Sequence, residues 1–416
     1  MRNKWFIAGL LGLAELGVLG GMVLAAQGGL TWQNVFSFAW PVVGGGRFSA
    51  TADQDQSFAV GQAASLDVEN AFGAITVTGG SGQQIVVHAH KTGWGADQAA
   101  ADAALAALKI TLTQAGNAVT VKVEQPSGLI VLNQSHNNGV DFTVEVPSDA
   151  AVKAHTSFGD VQVAGASGGV DASTSAGRAG ARAVGGPVVL HSDFGAVSLE
   201  NATVSTVNAR SSSGSVTLTQ VTASGAVEMH SDFGPLDYQG GRAASLMART
   251  SNGKVTLAGL TIDGAVDARS DFGSLAVTQV MAGSYAINSS NGNVSIDGAA
   301  GSVQASSDFG RVSVVHGAGV TLDLHSSNGS VTFSGSLGAG PHSLSSDFGN
   351  VVLTLPANTA ANVDLSTGFG SIHSTLPVTA SGDLSRDHWT GALNGGGPRL
   401  TVKTSNGNIT LDALSS

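Results

Sequence analysis

Apolar and polar residues alternate along most of this chain, and a glycine interrupts the alternation about every nineteen residues. Seven and five residues before the glycine the side chains are mostly apolar, as at Val227 and Met229. Two and four residues after it they are apolar again, as at Val216 and Leu218. Alternation with a period of two is typical of β-strands. Each unit is therefore predicted to hold two short strands joined by a corner at the glycine.

The glycine recurs at nearly constant steps along the chain. A fixed period near twenty residues is typical of a solenoid, in which each unit buries its apolar face only by stacking on its neighbours. We therefore predict an all-β fold, a parallel β-solenoid (β-helix) of about 19-residue units. The corner glycines are Gly159, Gly177, Gly195, Gly214, Gly234, Gly253, Gly273, Gly292, Gly310, Gly329, Gly349 and Gly370.

Two further columns accompany the glycine. A Ser or Thr stands three residues before it in every unit, and Phe alternates mainly with Asn directly before it. We predict that these residues point inward and form a structural ladder, with Asn-Gly suited to positive φ. The predicted ladder comprises Ser192, Phe194, Gly195, Ser231, Phe233, Gly234, Asn252, Gly253, Ser270, Phe272, Gly273, Asn291, Gly292, Phe309, Gly310, Asn328, Gly329, Phe348 and Gly349.

The alternation of Phe and Asn leaves two lengths open for one turn of the coil. In a turn of about 19 residues Phe lies over Asn, whereas in a turn of about 38 residues Phe stacks on Phe. The inward residues are small and would hardly fill the wide interior of the longer turn. The longer turn would also bring aspartates such as Asp193 and Asp232 within about 4.8 Å of each other. Both arguments favour the shorter turn.

Composition and charge exclude some classes of partner and site. The chain has 416 residues, a formal net charge of -11 and no cysteine. An acidic chain lacks the basic face that nucleic acids require, so no nucleic-acid partner is expected. Without cysteine there are no disulfides and no thiolate metal sites. No cofactor is predicted.

An apolar run from Trp5 to Ala26 is long enough to cross a bilayer, and Arg2 and Lys4 precede it. We predict that residues 1–4 are a cytoplasmic stub and that residues 5–26 are a membrane anchor or an uncleaved signal. A cleaved signal peptide is the alternative. The expected location is the cell membrane, with a single pass and the C-terminal domain outside the cytoplasm.

The rest of the chain divides into segments according to how regularly the repeat recurs. Residues 27–58 are predicted to be an interfacial, flexible linker, and residues 59–158 the N-terminal part of the solenoid. Within that part, the Ala-rich residues 97–108 predict a helix that caps the coil. Residues 159–416 form the repeat solenoid, which an irregular loop at 381–398 interrupts.

Candidate metal ligands are expected on the outer face of the coil. His191 with Asp193, and His230 with Asp232, are weak candidates for a divalent metal site, because imidazole and carboxylate are common ligands. Their spacing follows from the repeat alone, so the preferred interpretation is a solvated polar face without a metal.

A catalytic site is not expected. The Ser and Thr of the ladder are nearly equivalent in every unit, whereas a nucleophile needs a base at one unique position. The local cluster that breaks the repeat is Asp383, Arg386, Asp387 and His388. A polysaccharide-active β-helix enzyme would have to use that cluster, and this alternative rests on fold analogy.

The sequence resembles a bacterial family known as "putative adhesins", classed under a domain of unknown function. The resemblance covers about residue 60 to the C-terminus and rests on Val146, Pro147, Thr156, Phe158, Gly159 and Asp160, the alternating Ser-Asp-Phe-Gly and Ser-Asn-Gly turns, Leu355, Pro356 and the run 404–409. It implies a β-solenoid, commonly with an N-terminal membrane segment, and no catalytic residues.

We therefore expect a non-enzymatic, membrane-anchored extracytoplasmic β-solenoid, either an adhesin or a structural protein of the cell envelope. Expected partners are the membrane through residues 5–26 and a surface glycan or envelope protein, and self-association is open. An envelope-stress or sensing scaffold that acts through a partner protein is the alternative.

Overall fold

The computed structural model describes residues 48–124, 138–381 and 385–414. These residues form 35 strands and one helix, and the predicted parallel β-solenoid is confirmed. Within these ranges no helix is long and apolar enough to cross a membrane. The predicted anchor at residues 5–26 and the stub before it lie outside the described residues.

The elements are numbered in chain order. The N-terminal part contains β1 Phe48–Ala59, β2 Ser65–Phe72, β3 Ile75–Gly80, β4 Gln84–Gly95, α1 Gln98–Ala107, β5 Lys109–Ala115, β6 Ala118–Glu124 and β7 Gly139–Pro147. The repeat contains β8 Ala151–Phe158, β9 Val161–Ala164, β10 Val170–Ala176, β11 Ala179–Arg182, β12 Pro187–Ser192, β13 Val197–Glu200, β14 Thr203–Val204, β15 Thr206–Ser211, β16 Val216–Ala223, β17 Ala226–Ser231, β18 Leu236–Ala243, β19 Ser245–Thr250, β20 Val255–Ile262, β21 Ala265–Ser270, β22 Leu275–Thr278, β23 Ser284–Ser289, β24 Val294–Asp297, β25 Ala300–Ser307, β26 Val312–Ser326, β27 Val331–Leu337, β28 His342–Ser346 and β29 Val351–Leu355. The C-terminal part contains β30 Ala361–Thr367, β31 Ile372–Ser374, β32 Val378–Ala380, β33 His388–Leu393, β34 Arg399–Thr404 and β35 Ile409–Ala413.

Each turn of the coil contributes one strand to each of two parallel sheets. The strand before the corner glycine pairs with its equivalent in the next turn, so that Ser192 pairs with Ser211 and Ser211 with Ser231. The strand after the glycine does the same, as in the pairing of Val216 with Leu236. The partners are thus equivalent positions of consecutive repeat units. Each turn of the coil therefore holds one unit, as the shorter alternative predicts, and the longer turn of two units is wrong.

The core is a column of apolar side chains inside the coil, mostly Val, Leu and Ala with a few larger rings such as Tyr238. On both sides of each corner the alternate residues are fully buried, for example Val227, Met229, Leu236 and Tyr238. The residues between them face solvent or are half-buried. Because each turn of the coil is narrow, mostly small and medium side chains suffice for a close-packed interior.

A second corner, which the alternation of apolar and polar residues does not predict, lies six residues after each corner glycine from Gly159 to Gly329. The residue there has a left-handed backbone, with φ of 53° at Gln220 and 62° at Gly259. Beyond it the chain forms a short third side, where Val221 pairs with Gly241 and Gly241 with Leu260. The left-handed residues are Gly165, Ala183, Asn201, Gln220, Gly240, Gly259, Gln279, Gly298, His316 and Gly335. Five of these ten residues are glycine, and this was the available signal for a left-handed backbone.

The N-terminal end of the coil is closed by antiparallel strands and the helix. β5 pairs antiparallel with β6 on one sheet, and β1 and β7 pair antiparallel with β4 on the other. α1 packs against β4, where a Cβ on Gly95 would overlap the backbone of Ala101. The Asp97 carboxylate accepts a bond of 2.8 Å from Ala100 N and caps the helix. The predicted capping helix is thus observed, whereas the predicted linker is wrong for residues 48–58, which belong to β1.

The C-terminal end reverses the order of the turns. β34 and β35 insert between the turn of β28 and β29 and the turn of β30 and β31. β33 then pairs antiparallel with β30 and β32. The prediction of an irregular loop at 381–398 is therefore wrong for His388–Leu393, which form a strand that covers the end of the coil. Such cover protects the unpaired edge of a solenoid.

Candidate functional site

The buried hydroxyl three residues before each corner glycine makes the corner possible. Ser231 Oγ donates to the carbonyl oxygen of Gly214 in the preceding turn at 2.9 Å, and Gly234 N donates to Ser231 Oγ at 2.8 Å. The same pair of bonds recurs at Ser192 and Ser270. The inward orientation of this column is confirmed, but its partners are glycine backbone groups of two turns and not neighbouring hydroxyls. These residues are therefore structural.

The corner glycines stack directly on one another. A Cβ on Gly234 would overlap the carbonyl oxygen of Gly214, and one on Gly253 would overlap that of Gly234. In the central turns glycine is required because the stacked backbones leave no room for a Cβ. Backbone conformation does not require it, since none of Gly234, Gly253 or Gly292 has positive φ. The interpretation of Asn-Gly as a positive-φ turn is therefore wrong.

The Phe and Asn residues before the corner glycines point outward, so the prediction that they line the interior is wrong. Phe194 is 65% exposed and Phe233 66%. Asn252, Asn291 and Asn328 are also exposed. The bonds of the Ser hydroxyl tie the two ends of the corner together, which leaves the intervening residues at the apex. We call the row of exposed rings at this apex, on the turns from Gly195 to Gly349, the Phe ridge; it consists of Phe194, Phe233, Phe272, Phe309 and Phe348.

The rings of the Phe ridge lie on every second turn. Since adjacent turns are one strand spacing apart, successive rings are roughly 9.6 Å apart along the coil. This distance is too long for ring stacking, which needs about 4.5 to 7 Å between centroids. By contrast, Phe72 and Phe158 lie on adjacent turns and stack with their centroids 4.9 Å apart. The five rings of the ridge therefore present separate apolar faces to solvent.

Carboxylates flank the ridge one residue before each ring. Asp271, Asp308 and Asp347 are exposed, and among the described residues no side-chain partner is found for their carboxylates. On the turns between, Asn291 Nδ2 donates to the backbone carbonyl of Asp271 at 3.1 Å, and Asn328 does the same to Asp308 at 3.0 Å. Between Asp271 and Asp347 the corner thus alternates an aromatic ring beside a carboxylate with an anchored amide.

The candidate metal residues form two separate pairs. His191 Nε2 lies 3.1 Å from Asp193 Oδ1, and His230 Nε2 lies 3.1 Å from Asp232 Oδ1. Arg210 occupies the equivalent position on the turn between the two histidines. Within the described ranges no three His, Asp or Glu residues come together in a geometry that holds a metal. Each pair is an imidazole–carboxylate contact on a half-exposed face.

Other charges on the outer face form cross-turn pairs. Arg249 lies 3.0 Å from Asp267, and Arg210 lies 3.3 Å from Glu228. Near the N-terminal end, the hydrogen bond from Lys122 holds the pKa of Glu69 below its usual value. Exposed pairs of this kind contribute little to stability.

The structure brings together only part of the cluster that breaks the repeat, Asp383, Arg386, Asp387 and His388. His388 Nε2 lies 3.4 Å from Asp364 Oδ1, and Arg399 lies 3.1 Å from the other oxygen of Asp364. The Ser385 hydroxyl donates to Asp387 at 2.7 Å and lowers the pKa of that carboxyl. The contact between His388 and Asp364 joins β33 to β30, whereas the bond between Ser385 and Asp387 is local to the segment before β33. Asp383 lies outside the described residues.

Most of the chain matches one known protein family. The model of the family described as Toastrack DUF4097 matches residues 63–271 and 241–412. No curated protein matches the chain.

Three solved structures resemble the chain at low identity. One is a "putative cell adhesion protein" from Clostridium sporogenes, 9% identical, with a TM-score of 0.17 over 87% of this chain and 100% of that one. Another is a "putative adhesin" from Bacteroides fragilis, 11% identical, with a TM-score of 0.21 over 87% of this chain and 97% of that one. The third, a "putative adhesin" from Parabacteroides distasonis, is 10% identical with a TM-score of 0.18 over the same shares. At these scores they carry no argument about function. The family match, which spans most of the sequence, shows that this chain belongs to the Toastrack DUF4097 family.

Proposed function

We propose that this protein is a non-enzymatic, adhesin-type surface binder that makes contact through the Phe ridge. The observation that carries the proposal is the row of five rings, each between 63% and 66% exposed, on one edge of the coil. Exposing a large aromatic side chain to water is unfavourable, and repeated exposure along one line is typical of an interaction surface.

The repeat itself supports binding over catalysis. The corner residues are nearly equivalent from turn to turn, so the coil offers many similar contacts rather than one unique constellation of nucleophile, base and orienting group. Many weak, similar contacts on a rigid scaffold add up to strong attachment through multivalency.

The proposal places the solenoid outside the cytoplasm, anchored through residues 5–26. Its support is the length of the apolar run and the two cations before it. An anchored coil would hold the Phe ridge away from the bilayer, where it can reach an extracellular or envelope surface.

Two measurements test this function. Purified full-length protein is immobilised on beads, and the attachment of the beads to isolated bacterial envelopes and intact cells is counted. We expect attachment to fall at least tenfold for the triple variant Phe272→Asn, Phe309→Asn, Phe348→Asn. Protease treatment of intact cells should remove the solenoid but spare a cytoplasmic marker. Equal attachment of the variant, or full protection from protease, would overturn the corresponding part of the proposal.

A further inference from the structure

We propose that the Phe ridge binds a neutral, extended β-1,4-linked polysaccharide, with every second sugar stacked on one ring. This inference rests on the proposed function, since it takes the Phe ridge as the binding surface. It adds the chemical class of the ligand.

The first argument is the period of the ridge. Successive rings are separated by two turns, roughly 9.6 Å, with Ser213 or an Asn on the turn between. A line of equivalent subsites at constant spacing complements a ligand that repeats at the same interval. Two sugars of an extended β-1,4-linked chain form a repeat of similar length. A protein surface without internal repeats has no such translational period.

The second argument is the chemistry at each subsite. The negative face of an aromatic ring attracts the C–H groups that cover one face of a pyranose. Beside each of the rings Phe272, Phe309 and Phe348 lies an exposed carboxylate that has no described side-chain partner and can accept hydrogen bonds from sugar hydroxyls. The amides of Asn291 and Asn328 lie at the subsites between. Such alternation of apolar and hydrogen-bonding groups matches a sugar polymer better than a continuous apolar partner.

The third argument is charge. The ridge carries a row of aspartates, and the whole chain has a formal net charge of -11. This field repels anionic polysaccharides, nucleic acids and anionic lipid surfaces. Pairing of two ridges from two copies of the chain would place the aspartate rows opposite each other, which is unfavourable. A neutral polymer avoids both penalties.

The test measures binding of full-length protein to insoluble chitin and cellulose, and to their soluble oligomers of two, four and six sugars. Alginate serves as the anionic comparison. We expect binding to the neutral polymers, an affinity at least tenfold higher for six sugars than for two, and no binding to alginate. Absence of binding to both neutral polymers, or preference for alginate, would overturn the inference.

The variant Phe272→Asn, Phe309→Asn, Phe348→Asn gives a direct check on the ridge. Asn occupies this position on the alternate turns, so the coil should keep its thermal unfolding temperature. We expect at least a tenfold loss of affinity for the six-sugar oligomers. The matched control Val189→Asn, Met281→Asn removes two exposed apolar side chains outside the ridge and should bind as the unchanged protein does. An equal loss in both variants would overturn the inference.

Two outcomes separate this inference from the proposed function. If the triple Phe variant loses attachment to envelopes while neither polymer binds the unchanged protein, the surface function stands and the ligand class is wrong. If attachment is also unaffected, both are wrong. Should the variant instead convert a dimer into a monomer in sedimentation velocity, the Phe ridge is a contact between copies and the polysaccharide inference fails.

Discussion

The hydroxyl of Ser231 lies 2.9 Å from the carbonyl oxygen of Gly214, one turn earlier in the coil, and donates a hydrogen bond to it. The corner interrupts the regular ladder of backbone bonds, and this side chain replaces the missing donor. Because Ser231 Oγ also accepts from Gly234 N, one buried hydroxyl satisfies backbone groups of two turns. The link explains why Ser or Thr stands at this position in every unit.

Replacing Ser231 with Ala should lower the free energy of unfolding by about 1 to 3 kcal/mol, since it leaves buried backbone groups without partners. Ser231→Thr should cost much less, because Thr250 makes the same two bonds in the next turn. Urea denaturation measures both. Ser213→Ala, at an exposed corner position, is the control and should stay within about 0.5 kcal/mol of the unchanged protein. Equal stability of the Ser231→Ala and Ser213→Ala variants would contradict the role assigned to the hydroxyl.

Two glycines in one turn should respond in opposite ways to substitution. Gly253→Ala should destabilise the coil by about 2 kcal/mol or more, because its Cβ would overlap the carbonyl oxygen of Gly234. Gly259 has left-handed φ and open space around a Cβ, and Asn201 occupies the equivalent position with φ of 50°. Gly259→Asn should therefore change stability by less than about 1 kcal/mol. Thermal unfolding checks this, and a larger loss at Gly259 would refute the distinction between the two corners.

His342 should make stability fall in mild acid. This buried side chain accepts from Leu322 N through Nδ1 and lies 3.2 Å from Gly338 O through Nε2, an arrangement for neutral imidazole. Burial lowers its pKa below the usual 6.5. Below pH 6.5 this imidazole is therefore protonated in the unfolded chain but still neutral in the folded protein. Stability is lost as the pH falls from 6.5 toward the lowered pKa.

Urea denaturation between pH 7.5 and pH 5 measures this loss. His342→Leu should remove the part of it that belongs to this residue, because Leu400 fills the paired position in the adjacent turn. An unchanged slope in His342→Leu would show that the imidazole does not titrate as described.

The two tyrosines should resist ionisation. Burial raises the pKa of Tyr238 to about 12 and also raises that of Tyr285. The Tyr238 hydroxyl donates to Val221 O at 2.7 Å, and the Tyr285 hydroxyl donates to Val280 O, so each fixes the third side of its turn. The unfolded chain loses these protons first, so stability declines as the pH rises above 10.

Ultraviolet absorbance of tyrosinate measures this effect. The folded protein at pH 10.5 should show little tyrosinate, whereas the protein in concentrated guanidinium should show most of its two tyrosines ionised. Tyr238→Phe keeps the ring in the core but removes the bond to Val221, and it should cost about 1 kcal/mol. Full ionisation at pH 10.5 without loss of β-structure would contradict the burial of both phenols.

The sequence by itself determined the architecture, because a parallel coil repeats its register in every turn. The spacing of the glycines and the period-two alternation on either side of them are local signals, and small inward residues such as Ala209 suit only a narrow interior. They were sufficient to predict the two main strands of each turn, the length of the turn and the buried hydroxyl column, while the Ala-rich run 97–108 predicted the capping helix.

Only the tertiary structure decided which way the corner side chains point. Phe233 is apolar, and apolar residues are usually buried, so the pattern placed it inside. The bonds between the Ser231 hydroxyl and the backbone of two stacked glycines close the corner tightly and leave Phe233 at its apex. The Phe ridge, the second corner at residues such as Gln220 and the inserted turn of β34 and β35 all depend on contacts between residues far apart in the chain, which periodicity does not encode.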